Sequence, residues 1–336
     1  MVKKAARKRS SIHLANPSHK RIQIKLSRKT LISLRIGIIF LLFLILIFII
    51  KSAFISVKNA VWDGENQLVI AYEFNNELGL VKFDPVLREA LIVSFPSDML
   101  LPLALGFQDY RVDKIKALAL QEHIKLGQLL KDSITQSIGI LTDGYITGAK
   151  GKDLKLNKLI VYSLFNRSNS NLTAWDKIRL LVYVSNLKIS EIKYYQAANE
   201  FLKTKIIPDG SQILVIDDNV LTTFVLQELA NPVFLQEKLT WELYNATDQD
   251  GLANNMRRIT ANSGFDVIGI RQALEFKKTS TLYVSDAKKI NANVRRFAEF
   301  FHFPIVVDNS ITQRSDVALY LGDDYFIKYY TNSELY

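Results

Sequence analysis

Residues 36–50 (IGIIFLLFLILIFII) form an unbroken apolar run of fifteen residues. With residues 31–35 they make a twenty-residue segment. As a helix it would extend about 30 Å, the depth of a bilayer's hydrocarbon core. Such a run leaves few options, because its side chains point in every direction and need apolar surroundings on all of them. We expect a transmembrane helix over 31–50. Its flanks are unequal. Residues 1–51 hold twelve Lys/Arg and no Asp or Glu. The positive-inside rule therefore keeps the basic tail, residues 1–30, in the cytoplasm and puts the rest of the chain outside, as a single-pass membrane protein. The tail is expected to be disordered and attracted to anionic lipid. Arg35, one turn inside the span, can snorkel to the interface. A cleaved signal peptide fits less well. Lys58 falls where a small-x-Ala site ending at Ala60 needs a small residue, so the expectation is an uncleaved signal-anchor.

The formal charge of +10 belongs to the tail. Beyond Lys51 there remain 31 basic against 33 acidic residues, which removes the basic surface that nucleic-acid binding needs. Cysteine is absent, so disulfides, thiolate nucleophiles, Cys-held metal and lipidated cysteines are all excluded.

After a short stalk at 51–60, residues 67–74 and 77–85 read as two strands around Asn75-Asn76, and 90–98 as a third. Apolar spacing predicts helices over 111–122 and 124–138, the second stopped by Gly139. DGYITG reads as a strand, 150–158 as a loop, and 159–165 as an apolar run of either type. Thr173 is placed to cap a helix. A turn at Asp209-Gly210 leads into a strand, 221–229 is helical, and Asn231-Pro232 makes a boundary. From Lys238 the order becomes β-α-β-β-α-β-β, enough for a compact two-layer α/β domain. Ile290, Val294, Phe297 and Phe301 share a side of its second helix.

Several patterns carry no chemistry. Ser185/Lys188 and Ser285/Lys288 match S-x-x-K, with Lys278-Thr279-Ser280 between them, but S-x-N and K-T-G are missing. The four histidines are dispersed, two of them in the tail, so no zinc spacing exists and no metal site is expected. There is no G-x-G-x-x-G and no P-loop. In NATDQDGLA, Asp248 and Asp250 satisfy a helix start and would repel an anion. Trp62, Trp175 and Trp241, with Tyr194-Tyr195 and Tyr329-Tyr330, are weighed as a glycan surface against core packing; core is the default.

The C-terminal segment carries a resemblance. ELYNATDQDGLANNMRRITANSGFDVIGI is similar to the opening of the LytR C-terminal domain. Asn245, Thr247, Gly251, Leu252, Ala253, Gly264, Phe265 and Val267 fit, Ala246 and Asp248 replace two turn glycines, and FPIVVDN and VALYLGDDY come after them in order. The resemblance covers 238–325. Residues 60–235 resemble the LytR-CpsA-Psr domain of bacterial cell-envelope proteins. SFPSDML is similar to its S-I-P-R-D motif, and YRVDKIKALALQEH and GILTDGYITG are similar to the family's stretch beyond that motif. The implied fold is α/β, a single N-terminal transmembrane helix followed by a divergent LytR-CpsA-Psr-like α/β domain and the small two-layer α/β C-terminal domain.

The implied activity is transfer of glycopolymer from a polyprenyl-pyrophosphate carrier to the wall. The motif residues depart from it. Ser97 stands in place of the Arg, Asp98 is retained, residues 74–81 lack the Ser-Asp-Thr, and no D-x-x-R-x-x-R-Q stretch is found downstream. Phosphoryl chemistry needs several fixed cationic charges, so loss of these residues should leave little enzyme. We therefore expect a pseudoenzyme, a binding or assembly module in cell-wall organization. Its expected partners are the membrane and a cell-wall polymer, a polyprenyl lipid or another envelope protein, with no nucleic acid and no cofactor. The alternatives are a divergent transferase using Asp98, Arg111 and Mg²⁺, and an envelope-linked regulator. Asp98 is otherwise expected to cap a turn, and Arg111 to be a surface residue at a helix start.

Overall fold

The computed structural model describes residues 28–166, 169–231, 238–310 and 314–331. It divides into residues 1–54 and a compact unit of residues 55–336. The first holds most of helix α1 (Arg28–Lys58), whose segment Ile39–Lys58 is long and apolar enough to cross a membrane. The expected span and part of the expected stalk are thus one helix. SAFISV is apolar and lacks Gly or Pro, so nothing stops the helix before Lys58.

The larger unit contains two five-stranded sheets. In the first, β1 (Leu68–Phe74), β2 (Glu77–Asp84) and β3 (Glu89–Phe95) form an antiparallel meander. Asn75 and Asn76, at φ 51° and 69°, close the first hairpin as the two-residue turn the sequence suggests. A short hairpin comes next, β4 (Leu100–Pro102) and β5 (Asp109–Arg111), and then helices α2 (Ile115–Gln121) and α3 (Leu126–Ile138). Gly139, at φ 80°, ends α3 in the left-handed conformation. Strand β6 (Gly144–Ala149) adds parallel to β1. Beyond it lie helices α4 (Leu156–Phe165) and α5 (Ala174–Ser185), so the ambiguous 159–165 run is helical. Strand β7 (Ile192–Gln196), which the sequence pattern does not reveal, adds parallel to β3. Helix α6 (Ala197–Glu200), the hairpin β8 (Leu202–Ile206) and β9 (Gln212–Ile216), and helix α7 (Asp218–Phe224) complete the lobe.

The sheet is buried on both faces. Val69, Ala71, Leu80, Leu91 and Val93 pack with α2 and α3. Leu68, Ile70, Phe83, Ala90 and Ile92 pack with α4 and α5. Burial on both sides explains why β1 reads as a continuous apolar run.

The second sheet comprises β10 (Thr240–Asn245), β11 (Asp266–Gln272), β12 (Thr281–Val284), β13 (Ile305–Val307) and β14 (Val317–Leu321). Their spatial order is β11-β10-β14-β12-β13. Helices α8 (Leu252–Asn262), α9 (Ala292–Phe301) and α10 (Asp323–Tyr330) cover a core of Trp241, Leu243, Met256, Ile259, Phe297 and Leu319. This is the expected two-layer arrangement, extended by α10, whose Tyr325 and Tyr329 are core residues. Trp62 and Trp241 are likewise buried, so of the aromatics weighed for a glycan surface only Trp175 and Tyr194 are exposed. The expected boundary at Pro232 lies outside the described residues.

The two lobes meet along α3. Its last carbonyls, which have no partner within the helix, are taken by the second lobe. Arg258 donates to the Gln136 carbonyl and Asn262 Nδ2 to that of Ile138 at 3.4 Å. The Gln136 side chain bonds the Tyr325 and Tyr330 hydroxyls at 3.0 and 2.9 Å.

Candidate ligand site

The two residues singled out by motif lie close in the chain's topology. Leu100 pairs with Arg111 across the β4–β5 ladder, two residues past Asp98. Ser97 and Asp98 are exposed. The expected cap is not made by Asp98: the turn closes through the backbone, Met99 N–H to the Pro96 carbonyl at 3.1 Å, and the Ser97 carbonyl accepts from Asp113 N–H at 3.1 Å. Arg111 is a surface residue at a helix start, as expected. Its Nε and Nη2 donate to the two oxygens of the Asp113 carboxylate, each at 3.2 Å, and Lys114 adds a contact to that carboxylate at 3.4 Å. The Arg111 guanidinium is therefore already engaged by a neighbouring acid.

A cavity of about 310 Å³ lies nearby, between the end of β1 and the α2–α3 turn. At its polar end Glu73 is buried and accepts from Lys116 Nζ at 2.8 Å and from Gly148 N–H. Lys116 also bonds Asn76 Oδ1 at 3.0 Å. Leu120, Ile124, Leu126 and Tyr145 make the other end apolar. The β1–β2 turn and the αL glycine after α3 bring these parts together. A lone acid at the end of the apolar string LVIAYEF is the available signal for Glu73.

A larger cleft, about 1020 Å³, opens where α9 of the second lobe faces α3, the segment after α1, and α5. Its cationic residues are Lys131, Arg179, Arg295 and Arg296, with Asp63, Asp143 and Glu299 opposing them. Two of the acids are committed internally. Asp63 accepts from Glu65 N–H, Asn66 N–H and Asn66 Nδ2. Asp143 accepts from Val69 N–H at 2.9 Å, and both its oxygens lie 3.3 Å from Arg296 Nη2. Burial pushes the Asp143 carboxyl up, while Arg296 and the backbone bond pull it back. Glu299 stands exposed at the rim.

Among the described residues, Lys131, Arg179 and Arg295 have no carboxylate within ion-pair distance. Lys131 sits 5.3 Å above the Phe300 ring and Arg179 5.0 Å above that of Trp175. Arg179 Nη1 also donates to the Trp62 carbonyl at 2.7 Å. Neither a ring nor a carbonyl neutralises the charge, which stays available to an anion. His302 joins the wall. Burial, with Lys328 and Lys131 nearby, holds its imidazole below the ordinary value. The arrangement can bind an anionic group. Among the described residues no cluster of three or more acids or histidines could hold a metal ion. The Arg295-Arg296 pair is visible in the sequence, but its meeting with Lys131 and Asp143, more than a hundred residues away, is not.

No curated protein sequence matches the chain. Among solved structures, it is similar to the transcriptional regulator yvhJ from Bacillus subtilis at 13% identity, covering 47% of this chain and 94% of that one, with a TM-score of 0.34. It is also similar to the LytR-CPS2A-psr family protein YwtF (TagT) with bound octaprenyl pyrophosphate lipid, at 12% identity over 48% and 88% of the two chains, TM-score 0.34. TagT of B. subtilis bound to LIIa-WTA gives 13% identity, 48% and 88% coverage and a TM-score of 0.36. Likenesses this distant establish no function. The second lobe's own sequence is more telling: residues 238–325 match the family described as LytR cell envelope-related transcriptional attenuator. The motif resemblance in this segment is thereby borne out: residues 238–325 match the LytR C-terminal family.

Proposed function

We propose that this protein is a membrane-anchored, extracytoplasmic component of the cell envelope that binds an anionic wall polymer or its polyprenyl-pyrophosphate-linked precursor without transferring it. The observation that carries the reading is the contrast between two places. At the motif that resembles a transferase site, Ser97 replaces an Arg and Arg111 is occupied by Asp113. In the cleft between the lobes, Lys131, Arg179 and Arg295 have no carboxylate within ion-pair distance among the described residues, though Lys131 acts on Asp143 at longer range. Charge for holding a phosphate is therefore available in the cleft, and among the described residues no metal-holding cluster accompanies it. The LytR C-terminal family match supports the envelope setting, and the apolar helix with its basic flank supports single-pass anchoring with the N-terminus inside.

The test is titration of the full chain, reconstituted in nanodiscs, with polyprenyl-pyrophosphate lipid, reading both binding and phosphate release. Saturable binding without release is expected. The double variant K131A/R295A should weaken that binding by roughly tenfold per lost charge-assisted contact. Turnover would refute the reading in favour of the second one, a divergent transferase. The retained Asp98 and the pair of buried Glu73 with partly exposed Lys116 favour that alternative; Mg²⁺ would then be expected to matter.

A further inference from the structure

The face of the first sheet that packs against α4 and α5 is open toward its edge strand, β7. Side chains alternate along each strand, so pairing places Tyr72, Gly79, Ser94 and Gln196 in one row across that face. In the next row Val81 and Ile92 fill the middle positions; here they are only Gly79 and Ser94. A pocket of about 530 Å³ opens beside them. Tyr72 lies at its floor. The ring crosses Gly79, where a Cβ would come within 2.7 Å of Cε1 and 2.8 Å of Cζ. The hydroxyl carried by Cζ is therefore aimed from β1 over β2 toward Ser94, into the pocket row.

That hydroxyl is fully buried and has no hydrogen-bond partner. A core that needed only the ring would use Phe, and buried phenols are ordinarily satisfied. Burial raises the Tyr72 pKa, and Glu77 and Tyr194, both residues of the pocket, add to the rise, so the hydroxyl stays neutral beneath an acidic wall. Glu77 and Glu200 supply that wall, and no Lys, Arg or His lines the pocket. Among the described residues neither carboxylate is in an ion pair. Tyr194 stands at the rim, 62% exposed, with room to turn. This chemistry selects its ligand. An anion is repelled, and an apolar group leaves both acids and the phenol unpaired. A protonated amine brings the missing charge, N–H donors for the carboxylates and the phenol oxygen, and a cation for the face of the Tyr194 ring.

We propose that this pocket binds a small protonated amine, held by Glu77 and Glu200, with the Tyr72 hydroxyl as its neutral acceptor and the Tyr194 ring against its flank. The site shares no residue with the cationic cleft, so it goes beyond the anion binding proposed above and stands or falls separately from it.

The full chain in non-ionic detergent is titrated with propylammonium chloride at fixed ionic strength, and saturation transfer from protein to the probe's methylene protons is followed by NMR. 1-Propanol, of the same shape without the charge, is the comparison. Propylammonium should saturate and 1-propanol should not. The double variant E77Q/E200Q should weaken the amine by roughly tenfold or more, the effect of losing charge-assisted contacts. Y72F should weaken it by roughly threefold or more, the worth of one hydrogen bond. Because Y72F removes a hydroxyl that has no partner, its urea midpoint should be no lower than that of the native chain, which separates a lost ligand contact from a damaged fold. No saturation by propylammonium overturns the proposal. Equal binding of 1-propanol reduces the pocket to an apolar groove and also overturns it. Unchanged amine affinity in E77Q/E200Q places the amine elsewhere on the chain, and unchanged affinity in Y72F removes the phenol from the site; either result overturns the proposal.

Discussion

The Arg296–Asp143 pair joins the two lobes, and its removal has a distinctive signature. Asp143 is buried, with 9% of its side chain exposed against 23% for Arg296. Arg296→Met keeps most of the side-chain volume but leaves a carboxylate in the seam with only Val69 N–H to hold it. Breaking one partner of a buried pair costs about 3–5 kcal/mol. Arg296 is partly solvated, so we place the loss near the lower end, roughly 3 kcal/mol at pH 7. The loss should depend on pH. Burial already raises the folded-state pKa of Asp143 above its unfolded value, with Arg296 opposing the rise. Without Arg296 the folded pKa rises further, so the folded state binds a proton more readily than the unfolded one. A group raised in this way stabilises fully below its unfolded pKa and loses that contribution as pH climbs through the folded pKa. R296M should thus recover stability on acidification relative to the native chain. D143N/R296M, which has no stranded charge, should lose much less than R296M at pH 7. Urea unfolding of the full chain in detergent at pH 7 and pH 5 reads both effects. An R296M penalty equal at the two pH values, or a double variant no better than the single one, would refute the reasoning.

Other outcomes rest on local geometry. Asp176→Ala removes acceptors from Val61, Trp62 and Thr173 together and should cost roughly 3 kcal/mol, a cap plus a stranded buried N–H, read as a lowered urea midpoint. Gly127→Ala places a Cβ 1.9 Å from the Tyr145 ring, so the ring must move; a loss of about 1–3 kcal/mol is expected in the same assay, and an unchanged midpoint would contradict the packing. Arg111→Ala breaks an exposed pair with Asp113 and should change stability by less than about 1 kcal/mol. Its effect on carrier-lipid binding should be smaller than that of K131A/R295A; the opposite order would move the site to the Asp98 motif.

Much of the fold is legible because its signals are local. The Asn-Asn turn needs left-handed residues, Gly139 ends a helix, Thr173 and Asp176 cap one, and alternation or 3.6-residue spacing marks most elements. The elements that escape such reading lack these signals. Strand β7 (IKYYQ) is an edge strand, half exposed and held as a strand by pairing with β3. Helix α10 comes after a strand with only Gly322 between them and begins with two acids that read equally well as a loop. The continuation of α1 past Lys51 reads as a stalk because hydropathy falls there, while helical propensity does not.

The candidate site divides the same way. The apolar run, its basic flank and the family match of residues 238–325 were set by short-range order along the chain, since hydropathy and helix or strand periodicity depend on neighbouring residues. The environment of Asp98 and Arg111, the Glu73–Lys116 pair, the cationic cleft and the acidic pocket over Tyr72 were decided by tertiary structure. Each depends on groups such as Lys131 and Arg296, or Tyr72 and Glu200, that lie far apart in sequence. Charges interact through space, so a lone Arg in a sequence carries no mark of whether a carboxylate, a ring or open solvent will face it.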